Sequence, residues 1–139
     1  VIAVHDAAHR VMVGSFSRRR LRAFRRITGG KVLTSAHPAE VALYRLLPGV
    51  RFGALMARWL TPGRPAALQV PHRRGRLTVV TPGFVARAHA NGLQVHVWTI
   101  DDAAEMDHLI ALGVDGIMTD RTDVLTQTLA RLGLWKDPA

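Results

Sequence analysis

Trp98 is the residue that first suggests chemistry, in the run Gln94–Ile100 (QVHVWTI). The run reads as a strand, and Trp98 stands near its C-terminal end. In parallel α/β folds, ligands gather at that end of the strands. A tryptophan there either fills the core or forms one wall of a binding site. The wall is preferred, because so large a ring fits poorly inside a small barrel. By the same rule Ser15, Phe16, Gln69, Thr99, Thr119 and Asp120 are strand-end residues. The candidate substrate-binding set is Trp98, Phe16, Ser15 and Gln69. These groups can line a polar organic ligand. They supply neither paired catalytic acids nor a metal cage, so no catalytic and no metal-ligating residue is assigned.

The other chemistry-bearing residues have competing readings. Asp120 could bind ligand, cap the next helix or pair with Arg121. His96 alternates with Trp98 and shares its strand face, and a single inward histidine is expected to be hydrogen-bonded and structural. His89, inside a helix, and His108, on a polar helix face, are expected to be structural too. His72-Arg73-Arg74-Gly75 looks like a catalytic His-Arg-Gly turn, but it follows Pro71 in a basic loop and is read as a coincidence. Arg18-Arg19-Arg20-Leu21-Arg22 could hold phosphate, yet on an outer helix a solvated face is expected. The sequence contains no Gly-rich phosphate loop, Gly-x-Ser-x-Gly turn or His-Glu-x-x-His pair.

The elements that must position these residues can be read from pattern. Arg10–Ser15 (RVMVGS), Lys31–Thr34 (KVLT), Ala66–Val70 (AALQV), Gln94–Ile100 and Gly116–Asp120 (GIMTD) read as strands. Ser17 is a plausible N-cap for a helix to about Ile27, with Leu21, Phe24 and Ile27 facing inward. A second helix is expected from Pro38 to Leu47, stopped by Pro48-Gly49. A short helix is expected over Phe52–Leu60, then a loop at Thr61–Pro65. Thr81-Pro82 starts a helix strongly, and Gly92 ends it. Asp101 or Asp102 starts the next, with Glu105 three residues after Asp102 as in a capping box, and Gly113 ends it. Thr122 or Asp123 starts the last, which ends near Gly133. Strands alternating with helices through loops of two or three residues imply a parallel sheet.

Composition sets the outer bounds. The 139 residues are 48% hydrophobic and 21% charged, enough for one domain with a core. No apolar run reaches membrane-span length. The start Val1–Asp6 has neither a basic nor an apolar signal region, and a first residue other than Met is expected of a processed or cut end. Cysteine is absent, which excludes disulfides and thiolate metal sites. Residues 1–76 carry 15 Lys+Arg against 2 Asp+Glu, and residues 77–139 carry 4 against 8. A basic half could meet nucleic acid, anionic lipid or phosphorylated ligands. With 17 Arg to 2 Lys, a compositional habit is the preferred reading.

The ordered motifs resemble the C-terminal half of glycerophosphodiester phosphodiesterases. The likeness runs from Gln69-Val70-Pro71 through Val79-Val80-Thr81-Pro82 and Ala88-His89-Ala90-Asn91-Gly92 to Val97-Trp98-Thr99. It continues in Gly113-Val114-Asp115-Gly116-Ile117-Met118-Thr119-Asp120-Arg121, and Gly14-Ser15-Phe16 is similar to the family's Ser-Phe turn. The resemblance implies an α/β fold, about strands five to eight of a (β/α)8 TIM barrel, with the N-terminal half absent. It implies a hydrolase that splits glycerophosphodiesters into an alcohol and glycerol 3-phosphate, using a divalent cation (Ca2+ or Mg2+) and a pair of histidines. The family's His-Arg-Gly, Glu-x-Asp and Glu-x-Lys motifs have no counterpart here: His9-Arg10 precedes Val11, and Glu105-Met106-Asp107 lies within a predicted helix. The 139 residues alone are therefore expected to be inactive, to take a small glycerophosphodiester as ligand, to bind no nucleic acid and to self-associate. A phospholipase D-type relative, or a non-catalytic basic half-barrel binding anionic partners, are the alternatives. The compartment is left open, with the cytoplasm favoured.

Overall fold

The computed structural model describes residues 1–46 and 65–135. The helix expected over Phe52–Leu60, the Pro48-Gly49 stop and most of the loop at 61–65 fall outside them. In chain order, β1 (Met12–Val13) leads to α1 (Arg18–Ile27), and β2 (Leu33–Thr34) leads to α2 (Pro38–Leu46). Next, β3 (Ala67–Pro71) runs into a hairpin of β4 (Arg73–Arg74) and β5 (Leu77–Thr78), and then into α3 (Pro82–Ala90). Finally β6 (Gln94–Trp98) leads to α4 (Ala103–Ala111), and β7 (Gly116–Ile117) to α5 (Thr122–Arg131).

Strand pairing is parallel in β1–β2, β3–β6 and β6–β7. A bridge between Ser35 and Ala67 joins the first pair to the rest. Ala36 N donates to Ala67 O and Ala66 N to Thr34 O, both at 2.8 Å. Five parallel segments thus follow one another in chain order, one more than a literal count of strands five to eight. Helices α1, α3 and α4 each return the chain to the start of the next strand, the βα repeat that the alternating pattern implies.

The helix starts follow from local chemistry. Ser17 Oγ accepts from Arg20 N at 3.4 Å, Thr81 Oγ1 from Phe84 N at 3.2 Å and Asp102 Oδ1 from Glu105 N at 2.8 Å. Each satisfies an amide that helix geometry leaves without a partner. Two expectations need correction. Ile27 is exposed, and Arg25 takes the inward place beside Leu21. The reason is angular: position i+4 returns to the face of Leu21, whereas i+6 has rotated away from it. The segment His72–Arg76 is not a plain loop. Arg73 pairs with Thr78 and Arg74 with Leu77 in an antiparallel hairpin, turned by Gly75 at φ +60°.

Alternation along the strands separates two faces. Leu68, Val70, Val95 and Val97 point to the helices and are buried with Phe84, Val85 and Ala88 of α3 and Met106 and Leu109 of α4. A residue such as Phe84, fully buried, contributes about 1.5–3 kcal/mol through its apolar surface. On the other face, Gln69, Pro71, His96 and Trp98 keep part of their surface open. Between the first two helices a charged cluster replaces apolar packing. Arg25 Nε donates to Thr34 Oγ1 at 2.8 Å, Nη1 to Glu40 Oε1 at 2.9 Å and Nη2 to Ser35 O at 3.1 Å. Glu40 Oε2 accepts from His37 N at 2.9 Å.

Candidate functional site

Trp98 and Phe16 meet at the C-terminal ends of β6 and β1. Their ring centroids are 6.1 Å apart and the planes lie at 81°, an edge-to-face contact. Two strands lie between β1 and β6, so a flat sheet would separate them by roughly 14 Å. The rings meet because the sheet curls, as a barrel wall must. Phe16 is 79% exposed and Trp98 half-buried, so their remaining faces are open. The peptide bond between Trp98 and Thr99 is cis.

The other two candidates lie apart from this aromatic pair. Ser15 Oγ accepts from Ser17 N at 3.1 Å, which ties it to the turn before α1. Gln69 pairs with His96, two positions below the Pro71–Trp98 pair. Its Nε2 lies 3.9 Å from Met12 Sδ. Gly14 leaves room for that amide, since a Cβ there would lie 2.8 Å from Gln69 Oε1 and from Ser35 Oγ. Gln69 therefore occupies the layer beneath the mouth. His96 sits in that layer too, where burial lowers its pKa against a smaller opposing pull from Asp115.

Beyond β7, Asp120 caps nothing and does not pair with Arg121. Arg121 instead binds Asp123 through Nε at 3.0 Å and Nη2 at 2.8 Å, and this pairing holds the Asp123 carboxyl down at about 2. The carboxylate that organises the loop is Asp101. Its Oδ1 accepts from Thr119 Oγ1 at 2.8 Å and Asp120 N at 2.9 Å, and the Thr119 bond chiefly keeps its pKa below the usual range. At the opposite end of the sheet, Asp115 Oδ2 accepts from Val95 N and meets His89 Nε2, each at 2.8 Å.

A second group gathers residues to which sequence reasoning gave no role in a site: His72 and Arg73 were read as a coincidental turn, His108 as structural and Glu105 as part of a capping box. His72 is 3% exposed and its Nδ1 is hydrogen-bonded to Glu105 Oε1, whose side chain is 35% exposed. The His72 carbonyl accepts from Val79 N at 2.8 Å and from Val80 N at 3.3 Å. The His108 ring stands 5.8 Å from that of His72. These residues and Arg73 line two adjoining depressions of about 360 Å³ each, and one of them reaches Trp98 and Thr99. The available signal was Glu105 itself, whose capping-box spacing concealed a second use.

A divalent cation does not fit the residues present. Among the described residues no three His, Asp or Glu side chains are placed to hold a metal ion. The strand ends offer hydroxyls and an amide, and Asp101 is already committed to Thr119 and Asp120. Among the described residues, no helix is long and apolar enough to cross a membrane.

Comparison with known proteins places these features. The model of the glycerophosphoryl diester phosphodiesterase family matches residues 2–124. The probable glycerophosphodiester phosphodiesterase 2 of Mycobacterium tuberculosis is 38% identical over 135 residues, 97% of this chain and 50% of the relative. A glycerophosphodiester phosphodiesterase of Caldanaerobacter subterraneus is 33% identical over 54 residues, 39% of this chain and 22% of the relative. The chain thus spans half or less of the curated relatives it matches. Among solved structures, a putative glycerophosphoryl diester phosphodiesterase from Silicibacter pomeroyi superposes with a TM-score of 0.71 at 24% identity, over 97% of this chain and 43% of that one. A glycerophosphodiester phosphodiesterase from Parabacteroides distasonis gives 0.62 at 22% identity, over 94% and 48%. At such identities these two show the fold alone.

Proposed function

Because the chain belongs to the glycerophosphoryl diester phosphodiesterase family, we propose that it supplies the substrate-holding part of a barrel that hydrolyses glycerophosphodiesters to an alcohol and glycerol 3-phosphate. The observation that carries this reading is the Phe16–Trp98 contact, which sets two aromatic faces from separate strand ends at one mouth. Such faces pack against the carbon skeleton of a small polar ligand, while hydrogen-bonding groups around them fix its orientation. Ser15, in the turn before α1, and Gln69, in the layer beneath, are the groups proposed to do so. The divalent cation and the acid–base histidines belong to the remainder of the barrel, and no reaction step is assigned to these 139 residues.

The test is an assay of the purified chain with glycerophosphocholine and added Ca2+ or Mg2+. No turnover is expected from the chain alone. In the whole barrel, Trp98→Ala should raise KM more than it lowers kcat. Clear turnover by the 139 residues, or an unchanged KM in the variant, would overturn the proposal. Among the described residues the outer edges of β1 and β7 have no strand partner and the inner face is partly uncovered, which also supports self-association of the isolated chain. Sedimentation velocity should show a species larger than 15.3 kDa, and a proven monomer with a sharp two-state melt would count against it.

A further inference from the structure

The depression that begins at Trp98 does not stop at the barrel mouth. It passes over Thr99, crosses the His72–Glu105 pair and continues to His108 on α4, with Arg73 of the hairpin along its side. Resting on the diesterase reading above, we infer that this groove is a subsite for the alcohol half of the diester, and that it selects a polyhydroxylated alcohol such as a cyclitol or sugar.

The argument starts from the donor and acceptor set. Glu105 fixes the His72 ring through Nδ1, and the amides of Val79 and Val80 fix the His72 backbone. The ring is therefore held in one orientation at the floor of the groove. Glu105 Oε2 takes no hydrogen bond from any described residue, so one carboxylate oxygen remains an acceptor. Arg73 makes no ion pair with any described residue, so its planar fork of donors remains available. Thr99 adds a hydroxyl that both donates and accepts. One guanidinium and one carboxylate line the groove, and their formal charges cancel, so neither a cationic nor an anionic alcohol is favoured by charge. What the pair offers is two planar groups, each able to engage neighbouring hydroxyls. The Trp98 face completes the set, because the C–H face of a polyol ring packs on an aromatic ring.

The test measures binding, so it is independent of turnover. Ligand-observed NMR on the 139-residue chain would compare glycerophosphoinositol with glycerophosphocholine. Two or more additional hydrogen bonds, each of modest net strength, should make the inositol diester bind about fivefold or more tightly. Arg73→Lys keeps the charge but loses the fork, and Glu105→Gln keeps the shape but loses the carboxylate. In both variants the ratio should fall to about one. Circular dichroism confirms that each variant is folded, and the second variant serves if the first is not. Equal affinity for the two diesters, or a preference for choline, overturns the inference. Failure of the diesterase reading would look different. Free myo-inositol would then bind as tightly as its diester, with Arg73→Lys still weakening it, and the groove would stand as a polyol site without the proposed reaction.

Discussion

Glu40→Gln is a small change with a large expected effect. It keeps the shape of the side chain and removes one negative charge from a place that water hardly reaches. The Arg25 and Glu40 side chains are 2% and 6% exposed. In the variant the guanidinium stays buried with bonds to Thr34 and Ser35 only, plus whatever the new amide oxygen accepts. Breaking a buried ion pair from one side costs about 3–5 kcal/mol. The surviving amide–guanidinium bond offsets about 1 kcal/mol of that. A net loss of about 3 kcal/mol follows, which for a chain of this size lowers Tm by about 10 °C. Urea unfolding followed by circular dichroism at neutral pH measures it. A second arm removes both partners as Arg25→Met with Glu40→Leu. Apolar side chains can replace a buried pair at little cost, so the double variant should lose clearly less than the sum of the two single ones. A loss below about 1 kcal/mol in Glu40→Gln, or strict additivity in the double variant, would refute the claim that this pair is coupled across the α1–α2 contact.

Two further outcomes are expected. Burial holds the imidazoles of His37 and His96 below their ordinary value of 6.5, so the unfolded chain binds more protons as pH falls. Stability should be level above neutrality and decline as pH drops below about 6.5. Urea midpoints at about pH 7.5 and about pH 5 check this, and equal midpoints would contradict it. Gly116 faces His96, and a Cβ there would lie 2.9 Å from its Cδ2. Gly116→Ala should therefore displace the ring and cost about 1–3 kcal/mol, seen as a lower Tm together with a shifted His96 ring resonance. An unchanged resonance would contradict the close approach.

Local patterns were legible where the partner lies within one turn. Ser17, Thr81 and Asp102 cap helices as their spacing implies, because a cap needs only its own side chain and an amide three residues on. The alternation of Val95, Val97 with His96, Trp98 sorted the two faces of β6 for the same reason. What sequence could not show was a partner far along the chain. Glu105 completes a capping-box pattern with Asp102, yet only its amide serves the cap, and its carboxylate reaches His72, 33 residues away. Arg25 has no sequence signal of its own, because its partner Glu40 stands 15 residues on. His72-Arg73-Arg74-Gly75 was set aside for lying in a loop, but the hairpin brings His72 and Arg73 into the same depression as Trp98.

The uneven strand pairing has a consequence for how the mouth comes together in time. β3 and β6 share five paired positions, whereas β1–β2 and β6–β7 share two each. The β3–α3–β6 unit is also local in sequence and holds much of the apolar cluster, so it is expected to form early and open last. β1 joins β2 by a short ladder, and a bridge beside β2 links the pair to β3, so β1 is expected to dock late and fray first. Trp98 and Phe16 are then unequal partners. One is a fixed jaw built into the most persistent part of the sheet. The other is a late-arriving jaw on its edge, and the grip they form together lasts only as long as that edge stays docked.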